Sequence, residues 1–328
     1  MMASDKADVL FIGPHREHLL GELNKTFTVH HVQTLGEAND AVTKNEKLAS
    51  VLRFVAVGGH PGAIDGALMA KLPKLEIVSN FGVGYDNVDV KYAAAHGIMV
   101  TNTPDVLNEE VADTTLGLLL ATTRDLIQAD KYVRSGDWAK HGDYRLSHSL
   151  RNRTVGIVGL GRIGRAIARR LEAMLVPVVY HARNPVKDVS YKYYADLLEM
   201  ARDADVLVVI TPGGAATKNL INAEVLKALG PNGILINMAR GSVVDEDALI
   251  AALKNKTILA AGLDVFVKEP HVPQALVDMK NVVLLPHVGS ASVHTRRAME
   301  QLVVDNLAAW KAGKPLLTPV PETPSKRK

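Results

Sequence analysis

Thr154-Val155-Gly156-Ile157-Val158-Gly159-Leu160-Gly161-Arg162-Ile163-Gly164-Arg165-Ala166-Ile167 is the stretch whose reading decides the fold. Its first five residues are β-branched or small, as in a buried strand, and its last ones favour helix. Between them lies a Gly-x-Gly-x-x-Gly turn. Gly159 permits the tight turn, Gly161 lets the backbone approach a pyrophosphate, and Gly164 lets helix and strand pack closely. Leu160, Arg162 and Ile163 complete the cradle, and the helix N-terminus faces the negative charge. The motif alone is weak evidence. Set between strand and helix, it implies a dinucleotide-binding βαβ unit.

The next strand, Pro177-Val178-Val179-Tyr180, ends about twenty residues on, where an NAD enzyme places an acid for the ribose hydroxyls. Here the residues are His181-Ala182-Arg183-Asn184. An acid would repel the additional phosphate of NADP, whereas Arg183 offers a planar fork of donors suited to it, with Asn184 beside it. NADP(H) is therefore the expected cofactor, with NAD(H) possible. The plain alternative is that Arg183 is a solvated loop residue.

A chain of 328 residues with 47% hydrophobic residues can bury sizeable cores and suits two domains of ordinary size. Met1 to Lys6 lacks a signal pattern, and no apolar run approaches the roughly 20 residues of a membrane span, so a cytoplasmic protein is expected. The absence of cysteine excludes disulfides, thiolate catalysis and Cys-based metal sites. A formal charge of +3, with dispersed basic residues, does not suggest nucleic acid. Pro321 to Lys328 reads as a disordered tail.

Before the fingerprint, strand-like runs at Asp8 to Ile12, Phe27 to Val32, Val51 to Val57, Leu75 to Asn80 and Ile98 to Thr101 alternate with helical patterns. A second series follows near Val155, Val178, Val206 to Ile210, Ile234 to Asn237, Leu259 to Leu263 and Val282 to Leu285. Alternation of this kind predicts parallel α/β sheets, and six strands suit a complete doubly wound dinucleotide domain. Val106 to Arg134 reads as one long helical stretch whose Leu116-Gly117-Leu118-Leu119-Leu120 run is too apolar for exposure, predicting packing between domains or against a second subunit. The segment Ser292 to Ala312 places Ala298, Leu302, Leu307 and Trp310 at helical spacing and is expected to return to the N-terminal domain. The fold class is α/β: two doubly wound parallel-sheet domains, a Rossmann cofactor domain inserted into a discontinuous flavodoxin-like substrate domain. The expected boundaries are 1–102 and 289–316 for the substrate domain, 103–288 for the dinucleotide domain with a dimerisation helix, and 317–328 for the tail. Ligands are expected at the carboxyl ends of the strands, in the cleft between domains.

Three strand ends in the second half carry polar residues where folding alone would accept others: Asn237-Met238-Ala239-Arg240-Gly241, Asp264 to Pro270, and Pro286-His287-Val288-Gly289-Ser290. Reducing a 2-keto acid needs a hydride at the carbonyl carbon, a proton at its oxygen and a grip on the carboxylate. Imidazolium is the natural acid near neutral pH, since free histidine titrates at about 6.5, so His287 is the expected donor. Glu269 would orient the ring and favour its charged form. Arg240 would bind the carboxylate and polarise the carbonyl. Each residue has an ordinary alternative: a surface ion pair, a loop start, a satisfied turn histidine. His15, His18, His30, His31 and His60 show no metal spacing and read as structural or solvated.

With these segments in hand, the chain resembles the D-isomer-specific 2-hydroxyacid dehydrogenases from about Ala7 to Lys314. The resemblance rests on Asn80 to Asp89, Gly159 to Gly164, Asn237 to Gly241, Gly262 to Phe266 through Glu269-Pro270, and Pro286-His287 through Gly289-Ser290. It implies that Arg240, Glu269 and His287 are catalytic, and that backbone N–H groups of Val83 and Gly84 hold the substrate carboxylate. Thr211, Pro212, Thr217, Met238, Asp264 and Gly289 would line the cofactor, Asp264 at the nicotinamide carboxamide. For these the plain readings are turn punctuation and caps. Within the family, the strand ending in Arg looks like the NADPH-linked glyoxylate and hydroxypyruvate reductases, acting on small 2-keto acids as homodimers. Trp138 matches a position from which a partner subunit covers the substrate pocket, and reads equally well as a dimer-core aromatic. The small Val57-Gly58-Gly59 run leaves room for bulkier, phenylpyruvate-type acids as an alternative. From a different class, a nucleotide-sensing protein resembling corepressors of the same fold is the rival, which turnover of a 2-keto acid would exclude.

Overall fold

The structure, a computed structural model, describes residues 6–59 and 62–323. It divides into two compact units, Met1–Leu107 with Ser292–Lys328, and Asn108–Ala291.

The first unit is a parallel sheet of β1 (Ala7–Ile12), β2 (Phe27–Val32), β3 (Phe54–Val57), β4 (Ile77–Asn80) and β5 (Met99–Thr101), in the order β2-β1-β3-β4-β5. That is the flavodoxin-like order. β3 and β4 are buried along their whole length, as strands covered on both faces must be. β3 is shorter than the Val51 to Val57 run, because Val51 closes the helix Glu46–Val51. The helix Val293–Lys311, capped by the Ser292 side chain, packs on the helix Glu17–Thr26 and on β3 and β4. Its buried apolar face is Met299, Val303, Val304, Leu307 and Trp310, so the stripe is rotated from the expected one; Ala298 and Leu302 are only half-buried. The indole of Trp310 donates to Glu76 at 2.9 Å. The expected disorder of the tail is corrected at its start. Pro319 bridges Thr101, Val320 is buried and donates to Val100 O, and Thr323 Oγ1 bonds both backbone groups of Val100, so the chain covers the free edge of β5. Residues 324–328 lie outside the described residues.

The second unit is a parallel sheet of β6 (Val155–Val158), β7 (Val178–His181), β8 (Lys192–Tyr194), β9 (Val206–Val209), β10 (Ile234–Asn237), β11 (Ala260–Leu263) and β12 (Val282–Leu284). Its order is β12-β11-β10-β9-β6-β7-β8, the doubly wound dinucleotide arrangement, in which β8 is the third strand, with β12 added at the opposite edge. The strand order reverses beside β6, which sets the glycine turn that follows β6 at the topological switch point. The stretch from Val106 to Arg134 is not one helix. It forms Asn108–Thr123 and Leu126–Arg134, broken at Asp125, whose φ of +56° no helix accommodates. Of the leucine run, Leu118 and Leu119 are buried within this unit, against the helix Arg162–Ala173 and the sheet, while Leu116 and Leu120 are half-buried. Gly262 makes this possible, since a Cβ there would lie 2.6 Å from Thr122 Oγ1 and 2.8 Å from Leu118. Full burial of such a leucine contributes about 2 kcal/mol. The last turn of the helix Arg162–Ala173 is tied to the start of Asn108–Thr123 by Arg170 to Glu109 and Asp113, at 2.7 and 2.6 Å.

Candidate active site

The turn after β6 has the geometry its glycines imply. Gly159 has φ +103°, and a Cβ on it would sit 3.0 Å from the Thr211 side chain. At Gly164 a Cβ would come 2.2 Å from the carbonyl oxygen of Gly159, so the helix Arg162–Ala173 lies against the loop only because that position is glycine. Gly161 caps the helix without a side-chain acceptor, and space opens beside it. An N-terminus left in this state attracts an anionic group. Leu160 points into the core while Arg162 is exposed. Past β9, the Thr211 hydroxyl is buried with no hydrogen-bond partner among the described residues, a donor awaiting an acceptor. Thr217 Oγ1 donates to Pro212 O at 2.7 Å and closes that loop. These features fit a bound dinucleotide.

Beyond β7, Arg183 and Asn184 are exposed on a loop held by two tyrosines. Tyr180 Oη accepts from Val186 N–H at 2.9 Å, and Tyr193 Oη donates to Ala182 O at 3.2 Å. The second anchor comes from β8, a strand the periodicity of the sequence does not announce.

The three polar strand ends lie side by side because β10, β11 and β12 are neighbours. Asn237 turns the chain after β10: its Oδ1 accepts from Ala239 N–H and its Nδ2 donates to Arg240 O, both at 3.1 Å. Arg240 Nη1 donates to Ala239 O. A Cβ on Gly241 would stand 2.0 Å from the carbonyl carbon of Phe266, so the Arg240 loop rests directly on the loop after β11. Phe266 N–H in turn donates to Glu269 Oε1 at 3.0 Å, and His287 Nδ1 donates to Glu269 Oε2 at 2.8 Å. With both carboxylate oxygens engaged, the imidazole is held through Nδ1, and the pair keeps about three-tenths of its side-chain surface exposed, 28% and 29%. His287 adopts φ +54°, a left-handed conformation sparsely used by residues other than glycine. Asp264 holds the next residues. It accepts from Val288 N–H at 2.7 Å and Gly289 N–H at 2.8 Å, and its carbonyl accepts from His287 N–H. Burial pushes the Asp264 carboxyl above its ordinary range, opposed by those two N–H groups. Met238 and Asp264 both approach Gly289, where a Cβ would lie 3.1 Å from each.

In the first unit, the Val83-Gly84 loop follows β4, and Gly82 takes φ +149°. No acceptor among the described residues pairs with the N–H of Val83 or Gly84. The space a side chain at Gly58 would take is filled by the Phe11 ring, 2.4 Å from the position of its Cβ, so that glycine opens no room for a larger substrate. His18 meets Glu300, His30 meets Asp8, and His31 bonds Gly13 O and stacks on Phe11 with His15 tilted against it. His60 lies outside the described residues. Trp138, in the short helix Asp137–His141, is 58% exposed and shares its segment with exposed Leu126, Ile127, Val133 and Leu146. No helix among the described residues is long and apolar enough to cross a membrane.

A doubly wound parallel sheet with a glycine turn at its switch point, and a carboxylate-held histidine just beyond its edge strand β12, define an oxidoreductase that uses a nicotinamide nucleotide. Residues 116–289 match the family model described as D-isomer specific 2-hydroxyacid dehydrogenase, NAD binding domain. The chain is 47% identical to glyoxylate/hydroxypyruvate reductase A of Arabidopsis thaliana over 312 residues, 95% of this chain and 98% of the relative. It is equally similar, with the same coverage, to a hydroxyphenylpyruvate reductase of Plectranthus scutellarioides. Among solved structures, the NADPH-dependent glyoxylate/hydroxypyruvate reductase of Sinorhizobium meliloti in complex with NADP and malonate is 51% identical, with a TM-score of 0.93 and 99% of each chain covered. The chain belongs to the D-isomer-specific 2-hydroxyacid dehydrogenase family. It is an NAD(P)-dependent 2-hydroxyacid dehydrogenase, working as a 2-keto acid reductase.

Proposed function

We propose that this protein reduces small 2-keto acids, glyoxylate and hydroxypyruvate foremost, to D-2-hydroxy acids with NADPH in preference to NADH. The observation that carries the reading is the 2.8 Å bond between His287 Nδ1 and Glu269, which pairs the imidazole with a carboxylate as a proton donor to a substrate oxygen requires. When bound, the reduced nicotinamide supplies the hydride that adds to the carbonyl carbon. His287 gives its Nε2 proton to the oxygen, so the C=O π pair becomes the O–H bond and the neutral imidazole remains. Glu269 stabilises the imidazolium before transfer and holds the ring through it. Arg240 binds the carboxylate and stabilises negative charge on the carbonyl oxygen. The backbone N–H groups of Val83 and Gly84 are further carboxylate donors. Gly159 to Gly164, Thr211, Pro212, Thr217, Met238, Asp264 and Gly289 hold the cofactor, and Arg183 with Asn184 reads its 2′-phosphate.

The exposed Leu126, Ile127, Val133, Trp138 and Leu146 form an apolar stretch that a second copy would cover, which supports a homodimer with Trp138 placed over the partner's substrate. A cytoplasmic location belongs to the same reading.

Initial rates of NADPH and NADH oxidation with glyoxylate, hydroxypyruvate, pyruvate and hydroxyphenylpyruvate test it. Fast NADPH-linked turnover of the two small acids is expected. Faster turnover of hydroxyphenylpyruvate would transfer the assignment to bulky substrates, and nucleotide binding without turnover of any acid would favour a sensing role.

A further inference from the structure

The Val83-Gly84 loop differs from an ordinary strand-to-helix turn in the treatment of its carbonyls. A trans peptide points the C=O of one residue and the N–H of the next in opposite directions. Gly82 O accepts from Thr103 N–H at 2.9 Å, which turns the Val83 N–H away from the sheet. Val83 O accepts from Asn102 Nδ2 at 2.8 Å, which does the same for the Gly84 N–H. Gly84 O accepts from Asn80 Nδ2 at 3.1 Å, and Asn80 is braced by Asn87. The Gly82 N–H is itself consumed by Thr103 Oγ1. Three successive carbonyls are thus engaged, and the first two of these bonds turn the consecutive N–H groups of Val83 and Gly84 away from their carbonyl partners.

Asn102 is the side chain on which the second of those donors depends. It is 9% exposed, and its own backbone is fixed by Thr318: Thr318 Oγ1 donates to Asn102 O at 2.7 Å and Asn102 N–H donates to Thr318 O at 3.3 Å. A residue held this firmly cannot follow the loop if the Val83-Gly84 peptide rotates. We infer that Asn102 is a positioning residue for substrate: by pinning the Val83 carbonyl it presents the Gly84 N–H to the substrate carboxylate. This rests on the reading of Val83 and Gly84 as carboxylate donors given above.

The test is Asn102→Asp, nearly isosteric but with an acceptor where the donor was, alongside Asn102→Ser, which removes the donor without adding charge. Each is assayed with NADPH saturating. A lost hydrogen bond to a charged ligand corresponds to about a tenfold change in binding. The KM for glyoxylate and the Ki for malonate are therefore expected to rise about tenfold in Asn102→Asp and by less in Asn102→Ser, with kcat and the Kd for NADPH within about twofold of the parent. A folded variant of either kind whose KM and Ki stay at the parental values, whatever its Tm, overturns the inference, because a purely structural asparagine would move only stability. The underlying reading is checked separately on the unaltered, glycine-labelled holoenzyme. Malonate should shift the Gly84 amide resonance and leave Gly82 in place; an unresponsive Gly84 removes the carboxylate site itself, independently of the variants.

Discussion

Two glycine loops in this protein follow parallel strands and offer backbone N–H groups, yet they prepare those groups by different means. The turn after β6 runs into the helix Arg162–Ala173, and the helix itself orients its first amides and adds its dipole. The loop after β4 has no helix immediately behind it. Its amides are aimed by hydrogen bonds to the opposite edges of the same peptides, from Thr103, Asn102 and Asn80. The first solution suits a diffuse, multiply charged pyrophosphate. The second suits a planar carboxylate, where two donors must share one direction. A helix end can be read from a short window of sequence, whereas a clamp that draws Asn102 and Thr103 from about twenty positions away cannot.

The comparison holds only if neither loop performs the chemistry. Replacing His287 with Ala tests that with the largest expected effect. kcat should fall by about 10²- to 10⁴-fold, the usual worth of a positioned proton donor, while NADPH and malonate bind as before. Stopped-flow single turnovers with separate binding titrations make the measurement. Weakened binding of either ligand, with the chemical step intact, would put the loss in a loop and cancel the division of labour.

How much was legible follows the same line. The order of strands, the glycine turn and the strand-end positions of Arg240, Asp264 and His287 are local properties of residue type and period, and the structure has them where the sequence places them. The features that escaped depend on partners far along the chain or on one torsion. Lys192-Tyr193-Tyr194 is too short for a periodic signal, and becomes a strand because β7 offers it an edge. Asp125 breaks a helical pattern through its own positive φ. Pro321 to Thr323 has the composition of a disordered tail, and is ordered by the exposed edge of β5 and a buried Val320. In the site, Asn237 and Gly241 appeared only as neighbours of Arg240, although one turns the loop and the other lets it rest on Phe266. Pairwise spacing carries no sign of such contacts.

Arg183 sharpens the nucleotide side of the comparison. Its loop is anchored by Tyr180 and Tyr193, so the backbone that carries the exposed Arg183 is fixed at the end of β7. Arg183→Ala should weaken NADPH by about ten- to a hundredfold and NADH by less than about twofold, as losing bonds to a charged phosphate predicts. Fluorescence titration with both nucleotides decides it. Equal weakening would mean that the loop, and not the charge, was disturbed, and the cofactor preference would then rest on the missing acid alone.

The loop after β12 supplies a third case, and the smallest effect. Here the amides of Val288 and Gly289 are not left for a ligand but are taken up by the Asp264 carboxylate, 2% exposed and raised in pKa chiefly by its burial. An aspartate whose folded pKa exceeds the ordinary 3.8 holds its proton more tightly folded than unfolded. Its contribution therefore favours the fold fully below 3.8 and is lost as pH rises through the raised value. Asp264→Asn has no such proton to lose. Measured by denaturant unfolding across that window and up to neutral pH, the stability of the variant relative to the parent should improve as pH rises, whatever the constant cost of facing an amide N–H with the asparagine NH2 group. A difference that is flat, or that slopes the other way, would mean the two backbone donors outweigh burial, and Asp264 would then be an internal counterpart of the anions proposed for the other two loops.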